Sequence, residues 1–316
     1  MTSTRSQSVS VIGAGAWGNK LIANLSDLRA LHAIVDSDAT HREQLARQYP
    51  QVQLFESHKA LLSSGPGPVV IATPSASHFA IAKDCLVAGC DVFVEKPMTL
   101  DSASAAQLVE LARRHERVLM VGHLLLYQPA IRWLKVYLES GVVGKVLRLE
   151  HQRLGFGRAK SHENALWSLG VHDVAVALYL AGEQPRVVSA AGHKSSLSVA
   201  DDVRVHLSFP SGLAAHVHAS WLWPERVRKL TVVAERGMLV YDEIAQTVTL
   251  HRQWLSGDLT HHDDGASLLY EGDPQPLRLE LAHFLDCVAS RRTPLTDGES
   301  AVEVLRVLEA ADGLLF

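Results

Sequence analysis

At 316 residues, with 47% apolar and 20% charged residues, the chain has a globular composition and enough length for two hydrophobic cores. A net charge of -4, with no lysine- or arginine-rich block, offers nothing to nucleic acid. No apolar run is long and clean enough to span a bilayer, residues 1–7 lack a secretory apolar core, and three cysteines without zinc spacing point to reduced thiols in the cytoplasm.

Residues 8–12 read as a short strand and residues 20–25 as a helix, with Gly13-Ala14-Gly15-Ala16-Trp17-Gly18 between them. In the dinucleotide fold such glycines have separate tasks. Gly13 makes the tight turn, Gly15 admits a pyrophosphate to the backbone, and Gly18 lets helix and strand approach. Backbone N–H groups of Ala16, Trp17 and the helix start then face the phosphates. The next strand, 31–35, ends at Asp36, whose carboxylate would accept bonds from a ribose and repel a 2′-phosphate. NAD is therefore expected ahead of NADP, although Arg42 stands close enough to matter.

Residues 68–74 form an apolar run ending in Thr73-Pro74, followed by a helix that starts at His78. The turn is expected against the cofactor, with His78 a cofactor contact or a cap. Strand 92–94 runs into Glu95-Lys96-Pro97, helix 102–115 follows, and strand 118–122 closes the series. Ligands of parallel sheets gather beyond the carboxyl ends of strands, so Lys96 is expected in the crevice, where partial desolvation would let it exchange a proton with a substrate hydroxyl.

After Gly122 the texture changes. A helix is expected over 130–140, a strand over 145–153, a loop over 155–158 and one continuous helix over 166–181. Six strands follow, at 187–192, 202–209, 214–221, 229–234, 238–241 and 247–251, with turn signals between them, as in a largely antiparallel sheet. One face should carry helices. The other is expected to present large apolar or aromatic groups to a second subunit. Residues 258–276 read as the most irregular segment, and helices over 277–290 and 300–314 end the chain. His261-His262-Asp263-Asp264 has poor geometry for zinc, so no metal is expected.

Gly13 to Gly18, Ala72-Thr73-Pro74 with His78, Glu95-Lys96-Pro97, and Gly170-Val171-His172-Asp173 together resemble the glucose-fructose oxidoreductase, inositol dehydrogenase and MocA family over essentially the whole chain. The resemblance implies an α/β protein with an N-terminal Rossmann domain, 1–122, and a C-terminal α/β domain, 123–316, on a mostly antiparallel open sheet. It implies hydride transfer between NAD(P) and a sugar or cyclitol carbon, in a homo-oligomer, dimer or tetramer, joined through that sheet. Lys96 matches the family's catalytic lysine and His172 its partner in proton transfer.

One position departs from the family. Where an aspartate commonly stands four residues before the histidine, this chain has Ser168. A hydroxyl holds no negative charge at neutral pH. Residues 163–168 with His172-Asp173 are more similar to a nucleotide-sugar branch that includes 3-dehydrogenases of UDP-N-acetylglucosamine-derived uronic acids. A free-sugar or cyclitol dehydrogenase is the alternative, and a cofactor-binding regulator without turnover is a third reading. Arg153, Arg158 and Lys160 are candidates to clamp a substrate phosphate or carboxylate. Tyr127, Gln128, Ser168 and His172 are candidates to line the substrate pocket, with Asp173 orienting His172 or favouring the helix start.

Overall fold

The runs Val9–Ile12, Val69–Ile71, Val92–Glu95 and Leu119–Gly122 are buried at every position, the condition under which a parallel sheet is covered on both faces. In the computed structural model, which describes residues 8–65, 67–157, 159, 163–195, 198–273 and 275–315, these runs are neighbours in one sheet. In chain order the first part comprises β1 (Val9–Ile12), α1 (Gly18–Asp27), β2 (Leu31–Val35), α2 (Ala39–Gln48), β3 (Gln53–Phe55) and α3 (His58–Ser64). It continues with β4 (Val69–Ile71), α4 (His78–Val87), β5 (Val92–Glu95), α5 (Ser102–Arg114) and β6 (Leu119–Gly122).

The strand order is β3-β2-β1-β4-β5-β6, all parallel, which is the doubly wound order of dinucleotide-binding domains. Local chemistry sets the helix starts: Asp38, Ser57 and Asp101 each accept a backbone N–H in the first turn of α2, α3 and α5. The expected reading passed over α2, β3 and α3. Leu45 and Leu61 are the buried residues of the two helices, so neither carries a strong apolar stripe.

The second part comprises α6 (Pro129–Glu139), β7 (Val146–Leu154), α7 (Val171–Ala181), β8 (Val187–His193), β9 (Asp202–Ser208), β10 (Ala214–Ser220), β11 (Val227–Ala234) and β12 (Gly237–Asp242). Strands β13 (Thr247–Leu255) and β14 (His261–Glu271) and helices α8 (Pro276–Ser290) and α9 (Gly298–Asp312) complete the chain. The eight strands run β14-β13-β12-β11-β7-β10-β9-β8. Only β7 and β10 pair in parallel.

Three expectations are corrected here. Within the stretch 258–276, expected to be irregular, residues 261–271 form β14, an edge strand whose polar residues suit an unpaired border. The helix over 166–181 is not uniform, because Leu166–Gly170 is π-helical before α7 begins. A Cβ on Gly170 would lie 2.9 Å from Leu166 Cδ1 and near Val217 and Ala219, so the wide turn is wedged against β10. Finally, the sheet face opposite Ala215, Val217 and Ala219 is mixed: Val233, Met238 and Val240 lie on it in β11 and β12, while His206 and His216 lie there with ring centroids 4.8 Å apart, and His216 meets Glu150 at 2.8 Å.

The chain divides into two compact units, 1–124 with 276–302, and 125–275 with 303–316. The division differs from a single break after 122. In the first unit Thr296 donates to the Val121 carbonyl at 2.7 Å and its own carbonyl accepts the Val121 N–H, so the late segment is stitched to β6.

Candidate functional site

In the first unit the glycine-rich loop has the shape that its sequence requires. Gly13 has φ +97, and a Cβ there would lie 2.9 Å from the Ala72 and Thr73 backbone. A Cβ on Gly18 would lie 2.0 Å from the Gly13 carbonyl oxygen, whereas one on Gly15 would meet nothing within 4 Å. Two glycines are thus demanded by packing, and the third keeps the outer side of the loop bare beside exposed Ala16. A bare loop at the start of α1 fits a pyrophosphate of a dinucleotide.

Asp36 lies beyond β2, where its carboxylate accepts the Ala14 N–H at 3.2 Å and the Asp38 N–H at 2.9 Å and meets His41 Nδ1 at 3.1 Å. These bonds fix the acid against the glycine loop. Arg42 turns its guanidinium to the Asp36 carbonyl at 2.8 Å, and so stands at the same end of the crevice.

The Thr73-Pro74 turn is tied by Ser77, whose hydroxyl lies 2.8 Å from both Thr73 Oγ1 and the Pro74 carbonyl. His78, read as a cofactor contact or a cap, is buried as a brace. Its Nδ1 lies 2.8 Å from the Pro97 carbonyl and its Nε2 2.8 Å from the Thr73 carbonyl. With both ring nitrogens committed to backbone, it joins the β4 turn to the Lys96-Pro97 turn, and burial lowers its proton affinity. The Lys96-Pro97 bond is cis.

Lys96 is half-buried at the end of β5, and Glu95 beside it is buried. The Trp17 indole N–H donates to Glu95 Oε1 at 2.6 Å, while the Lys96 N–H approaches Oε2 at 3.3 Å. Burial pushes the Glu95 carboxyl up to about 7, against the pull of the Trp17 bond and the Lys96 charge. His123, just past β6, is buried with no hydrogen-bond partner on either ring nitrogen among the described residues. Burial and then the Lys96 charge push it down to about 4. Lys96 therefore sits beside a buried carboxyl and a buried neutral imidazole, close enough for its charge to act on both.

The second unit holds the other candidates. Tyr127 and Gln128 are buried where the chain enters α6. His172 is half-buried as the second residue of α7. Ser168 is buried in the π-helical turn, its hydroxyl accepting the Trp221 indole N–H at 3.1 Å. Arg153, a candidate anion clamp, is held by the protein's own acids. Its guanidinium is buried, with Nε 2.8 Å from Asp173 Oδ2, Nη2 3.1 Å from Oδ1, and Nη2 2.8 Å from Glu243 Oε2. Burial opposes the Arg153 charge, but the two carboxylates outweigh it and hold the guanidinium above its ordinary range. Such donors are not open to a substrate anion. Asp173 is likewise committed to Arg153, with His151 Nδ1 3.7 Å away, rather than to His172. Arg158 and Lys160 lie outside the described residues.

Sequence reasoning missed the Trp17-Glu95 bond, the buried His123 and the buried Glu280 of α8. A usable signal existed for the last: an acid at 280 in a segment with apolar Leu281, Phe284 and Val288 is out of place unless buried for a reason.

A parallel sheet in doubly wound order, a loop bare at Gly15, an acid beyond β2 and a lysine beyond β5 define a dinucleotide-binding oxidoreductase. Comparison with known proteins gives the family: its NAD-binding Rossmann model, described as an oxidoreductase family, matches residues 7–123, and its C-terminal domain model matches residues 131–240. The chain belongs to the GFO/IDH/MocA oxidoreductase family. It is 27% identical over 299 residues to the UDP-N-acetylglucosamine 3-dehydrogenase of Acidithiobacillus ferrooxidans, covering 93% of each chain. An inositol 2-dehydrogenase of Corynebacterium glutamicum is 30% identical over 193 residues, which is 59% of this chain and 57% of that one. A solved structure of UDP-N-acetylglucosamine 3-dehydrogenase from A. ferrooxidans superposes with a TM-score of 0.87 at 25% identity, covering 97% of this chain and 96% of that one.

Proposed function

We propose that the protein oxidises a secondary alcohol of a nucleotide-linked N-acetylhexosamine with NAD. The observation that carries this reading is the similarity to UDP-N-acetylglucosamine 3-dehydrogenase in sequence, along 93% of both chains, and in fold. Arg153, with its donors bonded to Asp173 and Glu243, adds nothing to the case for a uronic acid substrate. The higher local identity to the inositol enzyme keeps a cyclitol as the second reading.

When bound, the nicotinamide dinucleotide accepts the hydride that leaves the carbinol carbon. In this reading the chain does the rest. Gly13, Gly15, Ala16, Trp17 and Gly18 hold the pyrophosphate, Asp36 holds the ribose, and the Thr73-Pro74 turn lies along the cofactor. Lys96 takes the hydroxyl proton as the carbonyl forms, and His172 hydrogen-bonds that oxygen. Tyr127, Gln128 and Ser168 shape the sugar pocket. Glu95 and His78 fix the backbone on either side of Lys96, so geometry supplies much of the acceleration.

The same reading includes a homo-oligomer joined through the β8 to β14 sheet, and a cytoplasmic setting, supported by three buried free thiols, Cys85, Cys90 and Cys287. Among the described residues no helix is long and apolar enough to cross a membrane. The test is formation of reduced nicotinamide with UDP-N-acetylglucosamine, myo-inositol and free glucose side by side. Turnover of the nucleotide sugar alone supports the proposal, and turnover of inositol alone transfers it to the second reading.

A further inference from the structure

Phe93 and Glu95 are two apart on β5 and share a face of the sheet; Glu280 and Phe284 are four apart on α8 and share a face of the helix. The Phe93 and Phe284 rings meet edge to face with centroids 5.8 Å apart, which sets the register of helix on strand. One turn before Phe284 on that face, Glu280 lies close enough to Glu95 for their charges to interact. Glu280 is 0% exposed, and neither of its carboxyl oxygens has a hydrogen-bond partner among the described residues. A buried carboxylate without a partner is costly, so such a group keeps its proton.

We propose that Glu280 is a positioning residue for the Lys96 centre: packed on the β5 side of α8 near Glu95, it keeps its proton while Glu95 gives its own up, so the pair carries at most one negative charge beside the lysine.

The surroundings bear this out from each side. Glu95 has two N–H groups aimed at its oxygens, from the Trp17 indole and the Lys96 backbone, and Gly122 lies flat against it: a Cβ there would come 2.8 Å from Oε2. The charge-stabilising groups thus gather on Glu95, and Glu280 has none. Burial, then the charge on Glu95, raises Glu280 well above the carboxylate range. The other titratable groups of the cluster are Lys96 and His123, the latter held neutral at physiological pH. A second negative charge on Glu280 would strengthen the hold of Lys96 on its proton, and the neutral acid prevents it.

The proposal rests on Lys96 as the proton acceptor, and its test separates the two ideas. Carboxyl carbons of labelled glutamate are followed by NMR against pH in the NAD-bound protein, with Glu95→Gln and Glu280→Gln as assignments. The parent should show one carboxyl with a midpoint at about 7, lost in Glu95→Gln, and a second that stays neutral through that range, lost in Glu280→Gln. In Glu95→Gln the Glu280 midpoint should fall by about one pH unit or more. The kcat/KM profile of Glu280→Gln should depart from the parent on the alkaline side, which a purely structural role would not produce. A Glu280 carboxyl already ionised at neutral pH, or one whose midpoint is unmoved by Glu95→Gln, overturns the pairing. If Glu280→Gln fails to fold, Glu280→Asp, which keeps an acid and removes the glutamate signal, supplies the assignment. The titrations need no turnover, so a wrong assignment of Lys96 would appear in Lys96→Met kinetics and leave the carboxyl coupling intact.

Discussion

The indole N–H of Trp17 donates to the buried carboxyl of Glu95 across 2.6 Å, so the cofactor loop and the strand that ends at Lys96 are held by one bond. Its consequence is that loop position and carboxyl charge are linked, because an ionised acceptor makes the stronger bond.

That linkage has a signed effect on stability. The Glu95 carboxyl moves from 4.5 up to about 7 in the folded protein, so stability from its neutral form is complete below the unfolded value and lost as pH rises through about 7. His123 moves from 6.5 down to about 4, so its contribution is present above 6.5 and lost as pH falls toward 4. Glu95→Gln should reduce the alkaline loss and His123→Gln the acid loss. Urea midpoints between about pH 4.5 and pH 8 check both, and curves parallel to the parent would contradict them.

The cofactor preference rests on Asp36. Asp36→Ala should narrow the advantage of NAD over NADP by about tenfold, the worth of one charge-assisted hydrogen bond. Calorimetric titration with each cofactor measures it. Tighter NADP binding by the parent would instead point to Arg42, which already reaches the Asp36 carbonyl.

Arg153→Met should act on folding before it acts on substrate. Removing the guanidinium leaves Asp173 and Glu243 facing each other, with the loss of one partner from a buried pair costing about 3–5 kcal/mol. Chemical denaturation should register that loss. A stable variant with a raised KM would restore the anion-clamp reading.

Ser168 is where the chain leaves its family pattern, and its hydroxyl is bonded to Trp221. Ser168→Ala should cost about 1–3 kcal/mol through the unmet indole N–H. Ser168→Asp keeps an acceptor and adds a charge, so it should shift the pH profile of kcat/KM. His172→Asn, able to hydrogen-bond but not to titrate, should retain clearly more activity than Lys96→Met. Equal inactivity of the two would mean that His172 moves the proton itself.

The Rossmann half was readable because its signals are local: apolar runs, glycines with steric tasks, an acid at a strand end. Residues 37–67 were not, since the polar α2 and the short β3 carry little pattern of their own. Residues 261–271 were misread for a related reason: an edge strand is polar, and its pairing with β13 is not written in its own sequence. Arg153 shows the same limit at the site. An arginine near a loop looks like an anion clamp until Asp173 and Glu243, 20 and 90 residues away, are folded onto it. The return of α8 to the first unit, which carries Glu280 to Glu95, is likewise a property of the fold alone.

The most direct test is turnover of UDP-N-acetylglucosamine by the parent and by Lys96→Met, read as reduced nicotinamide at saturating NAD. The account predicts steady reduction by the parent and a loss of about a hundredfold or more in the variant. Turnover in Lys96→Met within a few fold of the parent would contradict it.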